Sequence, residues 1–189
     1  SAPGAVVAGQ AVTFTARVTS AGSPNPPPGY VAFYENGTGM LGFGYLANGV
    51  ATFSTTSLPA GTGEITAVYL GTATFTASTS DPVSTAVSAA TTVTTLGSSA
   101  PGGVASGQPV TFTATVSNPG SSIVPTGYVG FYSMGTDLLI GVGKLVNGVA
   151  TFASTTLPVG TLEITARYLG ADKVGGSTST SLSQVVNGP

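Results

Sequence analysis

The feature that most constrains this chain is an internal duplication that covers most of its 189 residues. SAPGAVVAGQAVTFTARV at 1–18 returns as SAPGGVASGQPVTFTATV at 99–116, and LANGVATF at 46–53 returns as LVNGVATF at 145–152. Each copy is long enough to fold around its own core, unlike the short unit of a solenoid. We therefore predict two domains, 1–89 and 90–189, joined in tandem.

Within each copy, the pattern of apolar residues is that of short β-strands. In the first copy Val12, Phe14 and Ala16 alternate with polar residues, and a period of two places them on one face of a strand. No stretch has helical periodicity, and Gly and Pro recur at the spacing of turns, which is typical of a sandwich. The prediction is an all-β chain of two β-sandwiches, about seven strands each and end to end.

Two Asn-Gly pairs mark turns at equivalent places in the two copies. Asn48-Gly49 and Asn147-Gly148 each lie between a short apolar run and the sequence VATF. Both residue types tolerate a positive φ, and Asn-Gly is a strong signal for a two-residue hairpin turn. We predict tight hairpins that feed a core strand.

Five motifs occur in the same order in both copies: GQ.VTFTA.V, P.GYV.FY, NGVATF, LP.GT.EITA.YLG and STS. Together they resemble bacterial Ig-like repeat domains, the tandem modules of large secreted and cell-surface proteins. The resemblance implies an immunoglobulin-like Greek-key sandwich and an extracellular or cell-surface location on a bacterium. It implies no catalytic residues.

Composition removes most classes of chemistry. Only 5% of the residues are charged, and the basic residues Arg17, Lys144, Arg167 and Lys173 are scattered, so no patch for nucleic acid is expected. Without Cys or His the chain has no disulfide, no thiolate ligand and no imidazole base. No apolar run approaches the length of a membrane span.

The carboxylates give no sign of a catalytic pair or a metal site. Only Glu64 and Glu163 recur between the copies, and both alternate with an inward Ile, so we interpret them as solvated strand residues. Asp81 and Asp172 lie in loop-like stretches, but no D-x-D-x-D pattern supports calcium binding. The prediction is a protein that is not an enzyme, with no metal and no cofactor.

A ligand-binding role is the alternative function. Tyr30, Tyr34, Tyr128 and Tyr132 point outward by alternation, where tyrosine rings either stack on sugars or pack across strands. The loop SAGSPNPPPGY at 20–30 differs from its counterpart SNPGSSIVPTGY at 117–128, and variable tip loops often contact ligands. These features are the basis of the alternative function, a glycan- or protein-binding module acting through tip loops and exposed tyrosines.

One sequon is present. Asn36-Gly37-Thr38 matches the acceptor pattern for N-glycosylation. In a bacterial protein such a triplet favours a turn, so we expect a turn here.

The copies differ at their first strand. TTVTTLG at 91–97 predicts the first strand of copy two, whereas copy one starts at the equivalent of Ser99. Three explanations are open: the preceding strand belongs to a longer array, copy one tolerates its loss, or a neighbouring subunit donates a strand by β-augmentation. The longer array is our first choice, and donation is the second.

These patterns predict an architectural function. We expect a structural module of a bacterial fibre, stalk or adhesin, with strand donation making it a self-assembling filament subunit in one version. The expected partners are neighbouring Ig-like repeats or further copies of the chain, with no nucleic acid and no membrane span.

Overall fold

The structure, a computed structural model, describes residues 6–36, 39–135 and 137–189. The chain divides into two compact units, Ser1–Ala89 and Ala90–Pro189, which we call domain 1 and domain 2. All regular elements of the described residues are strands. Gly37 and Thr38 of the sequon lie outside the described residues, and Asn36 lies in a turn.

The described part of domain 1 contains eight strands rather than the expected seven. Two of the eight are only two residues long, which is too short for alternation in the sequence to predict them. The strands are β1 Val6–Val7, β2 Val12–Arg17, β3 Tyr30–Glu35, β4 Gly39–Tyr45, β5 Val50–Thr55, β6 Gly61–Tyr69, β7 Ser78–Thr79 and β8 Val83–Ser88.

Domain 2 has a counterpart for each of these and one strand more, at its start. The strands are β9 Val93–Ser98, β10 Val104–Ala105, β11 Val110–Ser117, β12 Tyr128–Ser133, β13 Leu138–Lys144, β14 Val149–Ser154, β15 Gly160–Tyr168, β16 Ser177–Thr178 and β17 Leu182–Asn187.

Each domain is a sandwich of a large and a small sheet. The large sheet has the order β1-β8-β6-β3-β4 in domain 1 and β10-β17-β15-β12-β13 in domain 2, with β7 and β16 added beside β6 and β15. The small sheet is β2-β5 in domain 1 and β14-β11-β9 in domain 2. In each large sheet the strand that comes first along the chain, β1 or β10, runs parallel to the strand that comes last along the chain, β8 or β17. The other pairs are antiparallel.

Three phenylalanines form the centre of each core. In domain 1 the ring of Phe33 lies 6.4 Å from that of Phe14 and 5.7 Å from that of Phe53. A Cβ on Gly42 would lie 2.3 Å from the Phe53 ring, so this glycine makes room for the aromatic cluster. Domain 2 repeats the arrangement with Phe112, Phe131 and Phe152. Alternation in the sequence therefore selects the inward residues, and glycine on the facing strand lets the rings pack.

The Asn-Gly turns have the backbone expected of them but connect different sheets. Asn48 and Gly49 have φ of 51° and 75°, and Ala47 and Val50 exchange two backbone hydrogen bonds across the turn. Strands β4 and β5, however, belong to opposite sheets. The expected hairpin is thus limited to one bridge, because β5 pairs with β2 from Val50 onward.

A buried tyrosine ties each large sheet to the loop that precedes β3 or β12. The Tyr69 hydroxyl donates a hydrogen bond of 2.8 Å to the Pro28 carbonyl, and Tyr168 donates one of 2.9 Å to that of Thr126. Burial raises the pKa of Tyr168, while its hydrogen bond to the backbone acts in the opposite direction. These hydrogen bonds give partners to buried polar groups that water does not reach.

Candidate functional site

An open groove lies beside β2 in domain 1. Within the described residues β2 pairs with β5 alone, whereas its counterpart β11 lies between β14 and β9. The groove has a volume of about 370 Å³ and separates β2 from the end of the large sheet. Its lining includes Ala16, Val18, Ile65, Ala67, Ser78 and Val83.

The groove leaves part of the domain 1 core exposed. Ala114 and Val116 of β11 are 0% and 2% exposed, while the equivalent Ala16 and Val18 are only half-buried. The same contrast holds across the groove, where Ala67 is half-buried and its counterpart in domain 2 is fully buried. Apolar surface on both walls is therefore accessible in domain 1 and covered in domain 2.

Hydroxyl groups line the same region. In domain 2, Thr92 and Thr94 extend from the start of β9 and bond to the Ser177 Oγ at 2.8 and 2.7 Å. The equivalent Ser78 of domain 1 is exposed in the groove. The Oγ1 of Thr85, on β8, is buried and has no hydrogen-bond partner within the described part of the chain. Gln184, its counterpart in β17, bonds to Ser98 of β9.

A second candidate surface lies on the outer face of β3 and β4. Tyr30, Phe43 and Tyr45 are 53%, 51% and 61% exposed. Tyr30 is paired with Tyr45, and their rings meet edge to face with centroids 5.3 Å apart. Phe43 and Tyr45 alternate with the inward-facing Gly42 and Gly44. This alternation in the sequence places both rings on the outer face, but our prediction of ligand-binding tyrosines did not include them.

The four predicted tyrosines lie on two separate sheet faces. Tyr30 and Tyr34 share the outer face of β3, where Tyr34 is half-buried. Tyr128 is exposed on β12, but the ring of Tyr132 is covered by the Arg167 guanidinium, whose carbon lies 4.5 Å from the ring centroid. Arg167 is also paired with Asp137. Within the described residues, adjacent uncovered aromatic rings therefore occur in domain 1 and not in domain 2.

The charged residues do not converge on a reactive centre. Glu64 is exposed and accepts a hydrogen bond of 3.1 Å from Asn36, and Glu163 is exposed. No group of three potential metal ligands occurs within residues 6–36, 39–135 and 137–189. Asp81 lines the groove, whereas Asp172 is exposed in a loop of domain 2.

In the described segments we find no helix with the length and apolar character needed to cross a membrane.

The strand order and the tyrosine between the sheets define a class, the immunoglobulin-like β-sandwich, present here in two tandem units. The family model of the bacterial Ig-like domain (group 3) matches residues 1–88 and again 91–187. The chain therefore belongs to the bacterial Ig-like domain family, which confirms both the resemblance found in the sequence and the fold class. A search of curated protein sequences gives no significant match.

The solved structure of an adhesin supports the fold. The adhesin InvE of Yersinia pseudotuberculosis superimposes with a TM-score of 0.50 at 16% identity, over 96% of this chain and 56% of InvE. The chain thus spans little more than half of that structure. The ligand-binding domain of human OSCAR gives a TM-score of 0.39 at 18% identity, over 94% of this chain and 92% of OSCAR. The D0-D1 domain of intimin gives 0.35 at 20% identity, over 96% and 94%. At 16% identity the likeness to InvE concerns the fold alone.

Proposed function

We propose that the two domains form a load-bearing module of a bacterial cell-surface or secreted protein, such as a stalk, fibre or adhesin. The observation that carries the proposal is the parallel pairing of the first and last strands in each large sheet. In domain 1 the Ala8 N–H bonds to Ser88 at 2.8 Å, and in domain 2 the Ser106 N–H bonds to Asn187 at 2.9 Å.

The physical reason is the direction of force. Where two neighbouring strands run parallel, the start of one and the end of the other lie at opposite ends of the sheet. A pull on the two ends of the domain then acts along the strands, and several hydrogen bonds must break together. Membership of the bacterial Ig-like family and the scattered carboxylates support an architectural role and no catalytic one.

Single-molecule pulling of the whole chain tests this function. We expect one discrete unfolding event for each domain. Ser106→Pro removes the N–H that bonds to Asn187, so it should lower the rupture force of one event. Ser106→Ala keeps that N–H and is the matched control. A chain that extends without discrete force peaks, or a Pro variant as resistant as the Ala variant, would contradict the proposal.

Among the described residues, β5 is the only strand that pairs with β2, and this supports the assembly of these modules in series through the other edge of β2. An unpaired edge is a template for another strand unless it is protected. The surface also carries little charge, with charged residues at 5% of the chain, so repulsion between modules is weak. Assembly through this edge, including filament formation by strand donation, is part of the proposal.

Binding of a glycan through the aromatic face of domain 1 is a second candidate function. Its support is the pair of exposed rings, Tyr30 and Tyr45, in edge-to-face contact at 5.3 Å. Uncovered aromatic rings on a flat sheet provide apolar faces for sugar rings. On a glycan array, Tyr45→Ala should abolish any signal, whereas Tyr128→Ala in domain 2 should leave it intact. Equal loss in both variants, or an empty array, would remove this candidate.

A further inference from the structure

We propose that a second pocket of domain 1 binds an acidic sugar, which it recognises through the carboxylate and the hydroxyl groups of the ligand. The pocket lies where β2 ends and β5 begins, and we call it the tip pocket. It has a volume of about 290 Å³, and its lining includes Arg17, Thr19, Ser23, Asn25, Pro26 and Asn48. The tip pocket is separate from the aromatic face, which lies on β3 and β4 of the large sheet.

Pairing of the backbone and close packing fix the walls of the tip pocket. Arg17 is paired with Val50 at the start of β5. The Val18 N–H donates to the Gly49 carbonyl at 2.8 Å and joins the end of β2 to the turn before β5. The loop that precedes β3 packs closely on this turn, since a Cβ on Gly49 would lie 3.2 Å from that of Pro26. The two walls of the pocket are therefore held against each other.

The loop that forms one wall is stiff. Pro26, Pro27 and Pro28 each have a φ fixed by the ring, and Pro27 is buried. Ahead of them, the Ser23 hydroxyl accepts a hydrogen bond of 3.2 Å from the Asn25 N–H and donates one of 3.2 Å to the Asn25 carbonyl. Because the loop is ordered before a ligand arrives, binding costs little conformational entropy.

Arg17 gives the tip pocket a positive charge. It is the single basic residue in the sequence of residues 1–89, and its side chain is exposed. Among the described residues, the Arg17 guanidinium has no ion-pair partner, and no acidic residue lines the tip pocket. Asp81 lines the groove beside β2 together with Arg17, but the two side chains form no ion pair. A guanidinium binds a carboxylate through two parallel hydrogen bonds, so the pocket favours a carboxylate ligand.

The other polar groups of the tip pocket fit a ligand with several hydroxyl groups. The hydroxyl of Thr19 and the side-chain amides of Asn25 and Asn48 line it. Such groups both donate and accept hydrogen bonds, as the hydroxyl groups of a sugar do. The ring of Pro26 adds apolar surface for the C–H groups of a sugar ring. An acidic peptide side chain would use Arg17 alone, so an acidic sugar fits the pocket better.

Domain 2 has a different set of residues at these positions. The counterpart of Arg17 is Thr115, which carries no charge. The counterpart of Asn25 is Ile123, which has no side-chain amide. The recognition groups of the tip pocket are therefore specific to domain 1. Since the same framework accepts threonine and isoleucine at these two positions, they are suitable substitutions for a test.

Amide NMR titration of the full chain tests the site, with sodium D-glucuronate as the probe and at low ionic strength, because salt screens exposed charges. We expect saturable shifts at Arg17, Asn25 and Asn48. D-glucose lacks the carboxylate and acetate lacks the hydroxyl groups, so each should bind at least about tenfold more weakly. No saturable shifts with glucuronate, or equal binding of glucose or acetate, would overturn the proposal.

Three variants separate recognition in the tip pocket from general attraction of an anion. Arg17→Thr should weaken glucuronate binding at least about tenfold, and Asn25→Ile at least about threefold. Lys144→Thr also removes one positive charge, but from an exposed position in domain 2, and should leave the affinity unchanged. Unchanged amide shifts of β5 and β6 in the two variants of domain 1 show that the domain remains folded. Equal losses for Arg17→Thr and Lys144→Thr, or full affinity in both domain 1 variants, would overturn the site.

A last titration compares the acidic sugar with an acidic peptide group. N-acetylglutamic acid amide carries a carboxylate and peptide bonds but no hydroxyl groups. We expect it to bind at least about tenfold more weakly than glucuronate. Equal or tighter binding would overturn the assignment to a sugar and assign the tip pocket to acidic peptides. The force measurements on the β10–β17 pair do not involve this pocket, so the two proposals fail separately.

Discussion

Strands β2 and β11 begin with the same five residues, VTFTA, yet they lie in different surroundings. In domain 2 the strand has a neighbour on each side, and its inward residues Ala114 and Val116 are buried. In domain 1 the described strand has one neighbour, and Ala16 and Val18 remain half-buried. The difference shows that burial of a β-strand is completed by its partner in the sheet, even where the local sequence is the same.

The outer faces of the two large sheets also differ between the domains. In domain 2, Arg167 covers the ring of Tyr132, and Lys144 takes the place of Tyr45. In domain 1 the residue equivalent to Arg167 is Val68, and Tyr30 and Tyr45 contact each other at the surface. A duplicated framework has thus diverged at positions that do not affect the core.

The largest effect is expected at a place where the domains are the same. A Cβ on Gly143 would lie 2.6 Å from the Thr151 carbonyl oxygen, and one on Gly44 would lie 2.6 Å from that of Thr52. Backbone cannot move away easily, so Gly143→Ala and Gly44→Ala should each destabilise their domain by about 3 kcal/mol. Urea unfolding followed through amide NMR signals of each domain measures both.

Equal losses of stability for Gly143→Ala and Gly44→Ala would show that the two domains differ in packing only on the side where β9 lies in domain 2. Gly97→Ala and Gly22→Ala are the controls, because an added Cβ at either residue meets nothing within 4 Å. A loss at Gly44 much smaller than at Gly143 would mean that domain 1 is loosely packed throughout, and the comparison of the two domains would have to be extended beyond β2.

The next prediction concerns the burial of side chains on β11 by the neighbouring strand β9. Val116 is buried and Val18 is half-buried, so removal of two methyl groups should cost more in domain 2. We expect Val116→Ala to destabilise domain 2 by about 2 kcal/mol, and Val18→Ala to destabilise domain 1 by less than about 1 kcal/mol. The same domain-resolved unfolding experiment gives both values. If the two losses are equal, the groove beside β2 is closed in solution.

A smaller effect of opposite sign is expected on strand β8. The buried Thr85 Oγ1 has no partner within the described residues, whereas its counterpart Gln184 bonds to Ser98. Thr85→Val keeps the shape and removes the unsatisfied hydroxyl, so it should stabilise domain 1 by about 1 kcal/mol. Thr62→Val on the neighbouring strand is exposed and should change little. Destabilisation by Thr85→Val would show that the hydroxyl has a partner in solution.

The sequence was sufficient to predict the sandwiches because local signals agree with the fold. Alternation identified Val12, Phe14 and Ala16 as inward residues; Val12 and Phe14 are buried, and Ala16 is half-buried beside the groove. The glycines of the segments GFG at 42–44 and GVG at 141–143 lie where the backbone closely approaches the opposite strand. The Asn-Gly pairs also carried their conformation locally, since both residues have positive φ.

The parts that the sequence did not predict depend on contacts between distant segments. The Asn48-Gly49 turn was expected to join two paired strands, but β5 pairs with β2, which lies more than thirty residues away along the chain. The covering of Tyr132 by Arg167 likewise depends on the pairing of β12 with β15. The sequence predicted that copy one lacks a first strand, but it did not predict the groove, because the walls of the groove are formed by residues of two different sheets.

The smallest effect is expected at the tyrosine between the sheets of domain 2. Burial raises the pKa of Tyr168, so the unfolded chain releases this proton at a lower pH than the native domain does. The stabilising contribution is therefore complete below about pH 10 and is lost as the pH rises through the native pKa. Tyr168→Phe removes the hydrogen bond to Thr126 and should lower the stability of domain 2 by about 0.5–1 kcal/mol near neutral pH. Since the variant has no proton to lose at this position, its deficit should shrink above about pH 10. Unfolding by urea at a series of pH values tests this, with Tyr128→Phe, an exposed tyrosine of the same domain, as the control that keeps the alkaline loss. A deficit that stays constant across the alkaline range would mean that Tyr168 ionises equally in the native and unfolded states, and that its burial in domain 2 has no effect on its titration.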